Sequence, residues 1–499
     1  IDDGRGQGYA NDGSLHLDEI RDSLKICTQP LSHGPVSDFT VGITNGLSNS
    51  CSSMSWLETS STLISAGSNG ATGCELWTSM AVLDSTSQLF DINPTGDSTP
   101  GLWLDMTQIQ TDNGAMVFFD ADDGTNGREL WASDGTVAGT QRITSFGGAG
   151  DGLTGNSKIV KWMGGVVFTN VNEDFIWSNG TTTVELFDAP FFTSTTQSTL
   201  DTQTSDLSAY PLTKLWPESD GLWFSASTTS QDFEMHYLSQ EGAFKSWDLN
   251  TLEGSMPDSF LSVSGHNIVI AEDGFNGRQL VRLNDDGSHV WLTSLTLQSN
   301  GAASTSVGEK MGLNSIGDVV LFDAQTSGVD TTLWSYNLTT GTSQELSSNI
   351  LAPGENSGAV MLDGKLWFDC VTTITATELC YSDGTVEGSK LAYEFQPGIS
   401  SSDIRAISHV NQTLLIIVDG EVNGVDSGHC LWSFDTANME ARIAYDPWIG
   451  SGNNSQSGTY GSLVVSAEII FMVANNGVTG HEIHSWSPSS IGNEWLILD

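Results

Sequence analysis

Short apolar runs separated by polar turns recur nine times along this chain, at a spacing of about fifty residues. In the clearest copy, the apolar run Val117–Phe119 is followed by a turn rich in aspartate, asparagine and glycine, and then by Glu129–Trp131. A further short run precedes and follows each copy, so each repeat offers four short strands. Such a small antiparallel sheet must cover its apolar face with a neighbour, and this pattern predicts the blade of a β-propeller.

The remaining copies keep the same phase while the residues vary. They are centred on Glu75-Leu76-Trp77, Phe175-Ile176-Trp177, Met235-His236-Tyr237, Gln279-Leu280-Val281, Thr332-Leu333-Trp334, Glu378-Leu379-Cys380, Cys430-Leu431-Trp432 and Glu482-Ile483-His484. We therefore predict an all-β fold, a propeller of nine four-stranded blades, or of eight if one repeat is spent elsewhere. The repeats cover residues 52–499, and residues 1–51 form an N-terminal extension with a short helix.

Charge narrows the set of partners. The 499 residues include 61 acidic and 16 basic ones, which gives a formal net charge of −45. This charge repels phosphate backbones and anionic membrane surfaces, so neither nucleic acid nor membrane insertion is expected. No run approaches the roughly twenty apolar residues of a membrane span. Because the chain starts with Ile1 rather than methionine, we expect a secreted protein whose signal has been removed.

Six cysteines fit an oxidising, extracellular location. Cys370 ends a second strand and Cys380 lies in the third strand of the same repeat, so we predict that a hairpin brings them into a disulfide. The other four must pair otherwise: Cys27, Cys51, Cys74 and Cys430. Either Cys27 with Cys51 or Cys51 with Cys74 would tie the extension down. Four sequons predict N-glycosylation, at Asn179, Asn337, Asn411 and Asn453.

The extension carries one strand more than the repeats need. Phe39, Val41 and Ile43 lie in a segment similar to the outer strand of a repeat, although the chain also ends on an outer strand of its own. Two outcomes stay open. The strand is a latch beside the last repeat, which removes an exposed edge, or it is donated to a neighbouring copy, which builds a homopolymer.

Candidate metal ligands are restricted to acidic turns. Asp120, Asp122 and Asp123 offer clustered oxygens for calcium, and Asp12 and Glu19 resemble the second half of a calcium loop. Solvated turn carboxylates are the simpler interpretation of both. No other cofactor is expected. The histidines show no zinc pattern, and the chain has neither a glycine-rich phosphate loop nor a nucleophile elbow.

The segment from Glu129 to Thr140, which reads ELWASDGTVAGT, resembles the ELWxxDGT-type repeat of secreted microbial propeller-like proteins. The resemblance is specific in the second repeat, good in the seventh and only patterned elsewhere. It implies an extracellular, repeat-built surface or adhesion protein with no assigned catalytic residues.

From these observations we expect a non-enzymatic extracellular structural protein that assembles into a filament or surface layer through its extension. The alternative is a cell-surface adhesion propeller that binds a glycan or a protein. A carbohydrate-active enzyme is the least favoured alternative.

Overall fold

The computed structural model describes residues 33–35, 45–80, 85–111, 114–189, 191–205, 207–209, 212–228, 233–251, 253–296, 311–326, 331–354, 357–422, 425–448, 455–458, 463–466 and 469–487. Within these ranges the chain forms seven four-stranded antiparallel sheets and one eight-stranded sheet. The eight-stranded sheet consists of two four-stranded units, joined where Ile350 and Leu351 pair with Thr372 and Val371. The described residues therefore form nine four-stranded units, and the prediction of an all-β, propeller-like fold is confirmed.

We number the units in chain order. The strands of units 1 to 3 are Met54–Leu57, Thr62–Ser68, Cys74–Ser79 and Ser87–Phe90; Thr107–Thr111, Gly114–Asp122, Arg128–Ser133 and Gln141–Arg142; Ile159–Trp162, Gly165–Thr169, Phe175–Ser178 and Thr183–Glu185. Those of units 4 to 6 are Leu215–Pro217, Gly221–Ser227, Phe233–Ser239 and Phe244–Trp247; Ser259–Val263, His266–Glu272, Arg278–Leu283 and His289–Trp291; Asn314–Ile316, Val319–Ala324, Thr332–Asn337 and Thr342–Leu351. Those of units 7 to 9 are Ala359–Leu362, Lys365–Thr372, Thr377–Ser382 and Ser389–Tyr393; Ala406–Val410, Thr413–Val422, Val425–Asp435 and Glu440–Tyr445; Val464–Val465, Ile470–Asn475, His481–Trp486 and His33–Pro35.

All nine tripeptides that the repeat pattern singled out lie in third strands. In units 3 and 4, however, the predicted phase is one residue late. In unit 3, Ser178 pairs with Val166 as Ser133 pairs with Val117 in unit 2, so Ile176 occupies the position of Trp131. The shift in unit 4 is the same. Ala226 pairs with Glu234 there, as Ala121 pairs with Glu129 in unit 2, so His236 occupies the position of the tryptophan. The prediction aligned the aromatic Tyr237 with the tryptophan of the other repeats, and this shifted the phase by one residue.

The core is divided among clusters that each join neighbouring units. Leu76 of unit 1 packs in one cluster with Phe119 and Trp131 of unit 2, for example. Among the described residues there are nine such clusters, and the last contains Leu63 of unit 1 together with Phe471 of unit 9. The middle strands are therefore buried on both faces, which explains why their sequences are nearly continuous apolar runs.

The fourth strand of unit 9 comes from the other end of the chain. His33, Gly34 and Pro35 pair antiparallel with Trp486, Ser485 and His484. This strand, which the sequence did not predict, is an internal latch. The predicted strand around Phe39, Val41 and Ile43 lies outside the described residues.

The described residues contain two disulfides, Cys370–Cys380 within the hairpin of unit 7 and Cys51–Cys74 between unit 1 and the segment before it. Cys430 carries a free, buried thiol, so the expectation that it is paired is wrong. Burial raises the pKa of this thiol. Cys27 lies outside the described residues.

A helix was not predicted between units 3 and 4, yet Ser194–Gln203 form one. Thr193 caps it, because its hydroxyl accepts the backbone N–H of Thr196. Leu200 anchors the helix in the cluster between the two units. In the part of the chain that the structure describes, no helix has the length and apolarity to cross a membrane.

Candidate functional site

A buried acid near the start of the third strand recurs from unit to unit. The positions are Glu75, Glu129, Glu234, Glu378 and Glu482, with Gln279 in unit 5. The Glu75 carboxylate accepts the backbone N–H groups of Ile92 (2.7 Å) and Ser98 (3.1 Å). Both donors belong to the linker that leads to the next unit, so these acids anchor the linkers and are unavailable to a ligand.

The residue before this acid ties the third strand to the segment that precedes the first strand of the same unit. The tie is a disulfide in unit 1, a set of Arg128 hydrogen bonds to Thr99 in unit 2 and the Arg278–Asp258 ion pair (3.0 Å) in unit 5. In unit 8 the tie is a contact between a histidine and an aspartate, since Nε2 of His429 lies 2.7 Å from Oδ2 of Asp403. Unit 8 thus has a histidine at the position that holds a disulfide cysteine in unit 1 and an arginine in units 2 and 5.

A pair of carboxyl groups lies in the same hairpin of unit 8. Asp419 of the second strand lies opposite His429 in the strand register, and Asp426 of the third strand lies near enough for its charge to act on Asp419. The Gln396 amide donates to Asp419 over 3.3 Å. We call Asp403, Asp419, Asp426 and His429 the hairpin cluster.

The hairpin cluster has unusual electrostatics. Burial, followed by the negative charge of Asp426, raises the pKa of Asp419 to about 6. Arg405 contacts Asp403 at 3.2 Å and supplies positive charge at the edge of the cluster. The side chain of Asp403 is 55% exposed and that of His429 only 7%, so the cluster runs from solvent into the protein. A carboxyl pair that shares a proton near neutral pH can supply an acid and a base at once.

The predicted calcium ligands do not come together in this way. Asp120 is buried, where it pairs with Arg128 and accepts the backbone N–H of Leu104. Burial raises the pKa of Asp120 in spite of the opposing charge of Arg128. Asp122 accepts Gly124 N–H, and Asp123 accepts Asn126 N–H, each at 2.7 Å.

The oxygens of these turn carboxylates are therefore used within the fold. Among the described residues, no group of three or more His, Cys, Asp or Glu side chains is arranged to hold a metal ion. Asp12 and Glu19 lie outside the described residues.

Three of the four predicted glycosylation sites are described. Asn179 and Asn337 each accept backbone N–H groups of the following residues through Oδ1, as in an Asx turn. Asn411 is exposed in the turn between the first two strands of unit 8. Asn453 lies outside the described ranges.

Sequence reasoning missed the hairpin cluster. Its signal was the acid-rich stretch from Asp419 to Asp426, in the hairpin with the longest strands, together with Cys430 in place of the anchoring glutamate. The repeat pattern drew attention to residues that every unit shares, whereas a site is expected where one unit departs from the others.

No protein-family model and no curated protein matches this chain. Solved structures with a similar arrangement include a puromycin-hydrolysing peptidase of Mycobacterium tuberculosis, at 11% identity and a TM-score of 0.38 over 74% of this chain and 57% of that one. An oligogalacturonate lyase of Vibrio parahaemolyticus aligns at 11% identity and a TM-score of 0.35, over 88% of this chain and 99% of that one. The computationally designed Ika8 protein aligns at 14% identity and a TM-score of 0.37, over 89% of this chain and 98% of that one.

The chain spans about half the length of the peptidases it resembles. At these identities and TM-scores, the activities of those proteins cannot be transferred to this chain. The prediction of a self-assembling structural protein is nevertheless wrong. The described N-terminal strand, His33–Pro35, pairs within the chain's own last sheet instead of with a neighbouring copy, and this pairing does not support a filament.

Proposed function

We propose that this chain is a closed nine-bladed β-propeller and an extracellular hydrolase whose acid–base centre is the hairpin cluster. The position of Asp419 opposite His429, whose Nε2 contacts Asp403, with Asp426 in the same hairpin, is the observation that carries the proposal. This proposal differs from the expectation that the chain is not an enzyme. That expectation was based on the residues that the repeats share, and the pair Asp419 and Asp426 is not among them.

Support for the closed ring comes from the clusters and from the latch. Each unit shares a cluster with its neighbour, and the first strands of units 1 and 9 lie against each other as do those of units 1 and 2. Each unit then presents the hairpin between its second and third strands at one end of the ring. The two disulfides and the acidic composition support an extracellular location.

The proposed chemistry is hydrolysis of an amide or ester. Asp426 takes a proton from a water molecule while that water attacks the substrate carbonyl carbon. The protonated Asp419 gives its proton to the carbonyl oxygen. Collapse of the tetrahedral intermediate breaks the bond to the leaving group, which receives the proton held by Asp426, while one hydroxyl of the intermediate returns its proton to Asp419 as the carbonyl re-forms. His429 acts as a positioning residue, because Asp403 holds it opposite Asp419.

The test is a mass-spectrometric survey of a defined peptide library, together with simple aryl esters, between mildly acidic and neutral pH. Asp419→Asn and Asp426→Asn are expected to lower the rate by about a hundredfold or more, the typical worth of a positioned acid or base. Asp122→Asn is the matched control, because Asp122 occupies the same place in unit 2 as Asp419 in unit 8. Equal rates in all four proteins, or no turnover by the wild type, would overturn the proposal.

A further inference from the structure

A second candidate site lies at the other end of the strands. A cleft of about 530 Å³ opens where the turns between the first and second strands of units 3 and 4 approach the first strand of unit 2. Gln108, Gln110, Lys161, Trp162, Glu218 and Gln240 line it. This volume lies within the range of small-molecule sites, which are commonly about 300–1,000 Å³.

Lys161 is the first observation that specifies a ligand. Lys161 is exposed. It forms no salt bridge with any described residue, which is also true of Lys158, Lys365 and Lys390, but of these four lysines only Lys161 lines the cleft. In contrast, Lys245 pairs with Asp285 and Lys214 pairs with Asp258. An unpaired ammonium at a cleft favours a ligand with a carboxylate or another anionic group.

Glu218 supplies the opposite charge. It is half-buried in the turn between the first and second strands of unit 4, and burial together with the charge of Asp220 raises its pKa. The Gln240 amide donates to the Ser219 carbonyl oxygen over 2.7 Å and so fixes the turn that carries Glu218. A cationic group of a ligand would relieve the repulsion between the two acids.

The rest of the lining suits a peptide. Gln108 and Gln110 lie two residues apart on the same face of their strand, and their side-chain amides offer hydrogen-bond donors and acceptors. The buried Trp162 contributes an apolar wall. Gly165 keeps the turn of unit 3 close to the sheet, because a Cβ there would lie 2.4 Å from the Ser178 carbonyl oxygen.

We propose that this cleft binds a short zwitterionic peptide, with its carboxylate at Lys161 and its ammonium group at Glu218. The cleft is independent of the hairpin cluster. It lies in units 2 to 4 at the turns between first and second strands, whereas the cluster lies in unit 8 at the opposite end of its strands. Binding is measured in the full chain carrying Asp419→Asn, which suppresses hydrolysis of the peptide at the hairpin cluster, so failure here leaves the hydrolase proposal untouched, and the reverse also holds.

The experiment is calorimetric titration of the full chain with trialanine, its C-terminal amide and its N-acetyl form. Trialanine is expected to bind in the micromolar to millimolar range, with each blocked form at least about tenfold weaker. Lys161→Ala should weaken trialanine to the same degree and remove the discrimination against the amide. Glu218→Gln should remove the discrimination against the acetylated form.

Lys245→Ala is the control, because it removes an equal charge from the surface of unit 4 outside the cleft. It should bind like the wild type. The proposal fails if trialanine shows no binding at millimolar concentration, if the blocked peptides bind equally well, or if Lys245→Ala weakens binding as much as Lys161→Ala.

Discussion

The backbone N–H of Gly46 donates to Oε1 of Glu482 over 3.2 Å, although 436 residues separate the two in sequence. Beside this bond, Oδ1 of Asn45 accepts the backbone N–H of His481 at 3.0 Å. The segment that follows the latch is therefore fixed to unit 9 by two hydrogen bonds.

Unit 1 makes the same two bonds with residues close in sequence. Oδ1 of Asp97 accepts Cys74 N–H at 2.7 Å, and Ser98 N–H donates to Glu75. Residues 45 and 46 thus take the part of an ordinary linker, and the joint between unit 9 and unit 1 is built like the joints between consecutive repeats.

Glu482→Ala should destabilise the fold at this joint. The substitution leaves the buried N–H of Gly46 without its acceptor, which should cost about 1–3 kcal/mol of unfolding free energy. Denaturant unfolding measures the change. Glu440→Ala removes an exposed partner of Arg442 and should change stability by less than about 1 kcal/mol. Equal effects of the two substitutions would contradict the anchoring role of Glu482.

Glu378→Gln should make stability less sensitive to pH. Burial raises the pKa of Glu378 to about 7 from an ordinary value of 4.5, so the folded state holds a proton that the unfolded chain has lost. The stability from this group is complete below pH 4.5 and declines until the pH passes about 7.

Gln279 shows that an amide fits the same position. It accepts Leu295 N–H at 2.9 Å and donates to the Leu295 carbonyl oxygen at 2.8 Å. The Glu378→Gln variant should therefore fold and show a shallower fall in unfolding free energy between acid and neutral pH. Parallel curves for variant and wild type would argue against the raised pKa.

The Cys51→Ser/Cys74→Ser double variant should lower the thermal midpoint. The disulfide closes a sequence separation of 23 residues, for which the chain-entropy estimate is about 3 kcal/mol. Cys370→Ser/Cys380→Ser is the comparison, with a separation of 10 and a slightly smaller expected loss. Calorimetry of both variants checks the order, and an unchanged midpoint in the first would show that the tie of unit 1 is dispensable.

Gly152→Ala should disturb the linker anchor of unit 2. An added Cβ would lie 2.4 Å from both carboxylate oxygens of Glu129, which already bind Gly147 N–H and the Thr144 hydroxyl. Overpacking of this kind typically costs about 1–3 kcal/mol. At Gly155 the nearest atom belongs to Trp103 at an ordinary 3.8 Å, so Gly155→Ala should be close to neutral. Chemical denaturation of the pair decides whether the close approach matters.

Hydrolysis should fall as the pH rises through about 6, because Asp419 then loses the proton it donates. A pH–rate profile measures this alkaline limb. His429→Gln keeps a polar group opposite Asp419 and should lower the rate while leaving the alkaline limb in place. A profile that stays flat across pH 6 would exclude Asp419 as the acid.

Much of the fold could be predicted because the same pattern of buried positions recurs in each repeat. The Leu and Trp of third strands are buried between units, so an apolar rhythm identified all nine third strands. The phase in unit 4 failed because burial of Glu234, which the apolar rhythm does not register, sets the alignment. The hairpin cluster failed for a related reason, since Asp403 and His429 meet only after two strands and a linker have folded together.

The latch also determines when the last sheet can form during synthesis of the chain. The strand His33–Pro35 is made early, but its partner His484–Trp486 follows about 450 residues later, which takes roughly 20–90 s at ordinary rates of synthesis. During that interval unit 1 lacks its neighbour, and Leu63 and Met54 have no Phe471 to pack against. Pairing of the latch and burial of this face of unit 1 are therefore late events, and the apolar side chains of unit 1 stay uncovered on that face until unit 9 has been made.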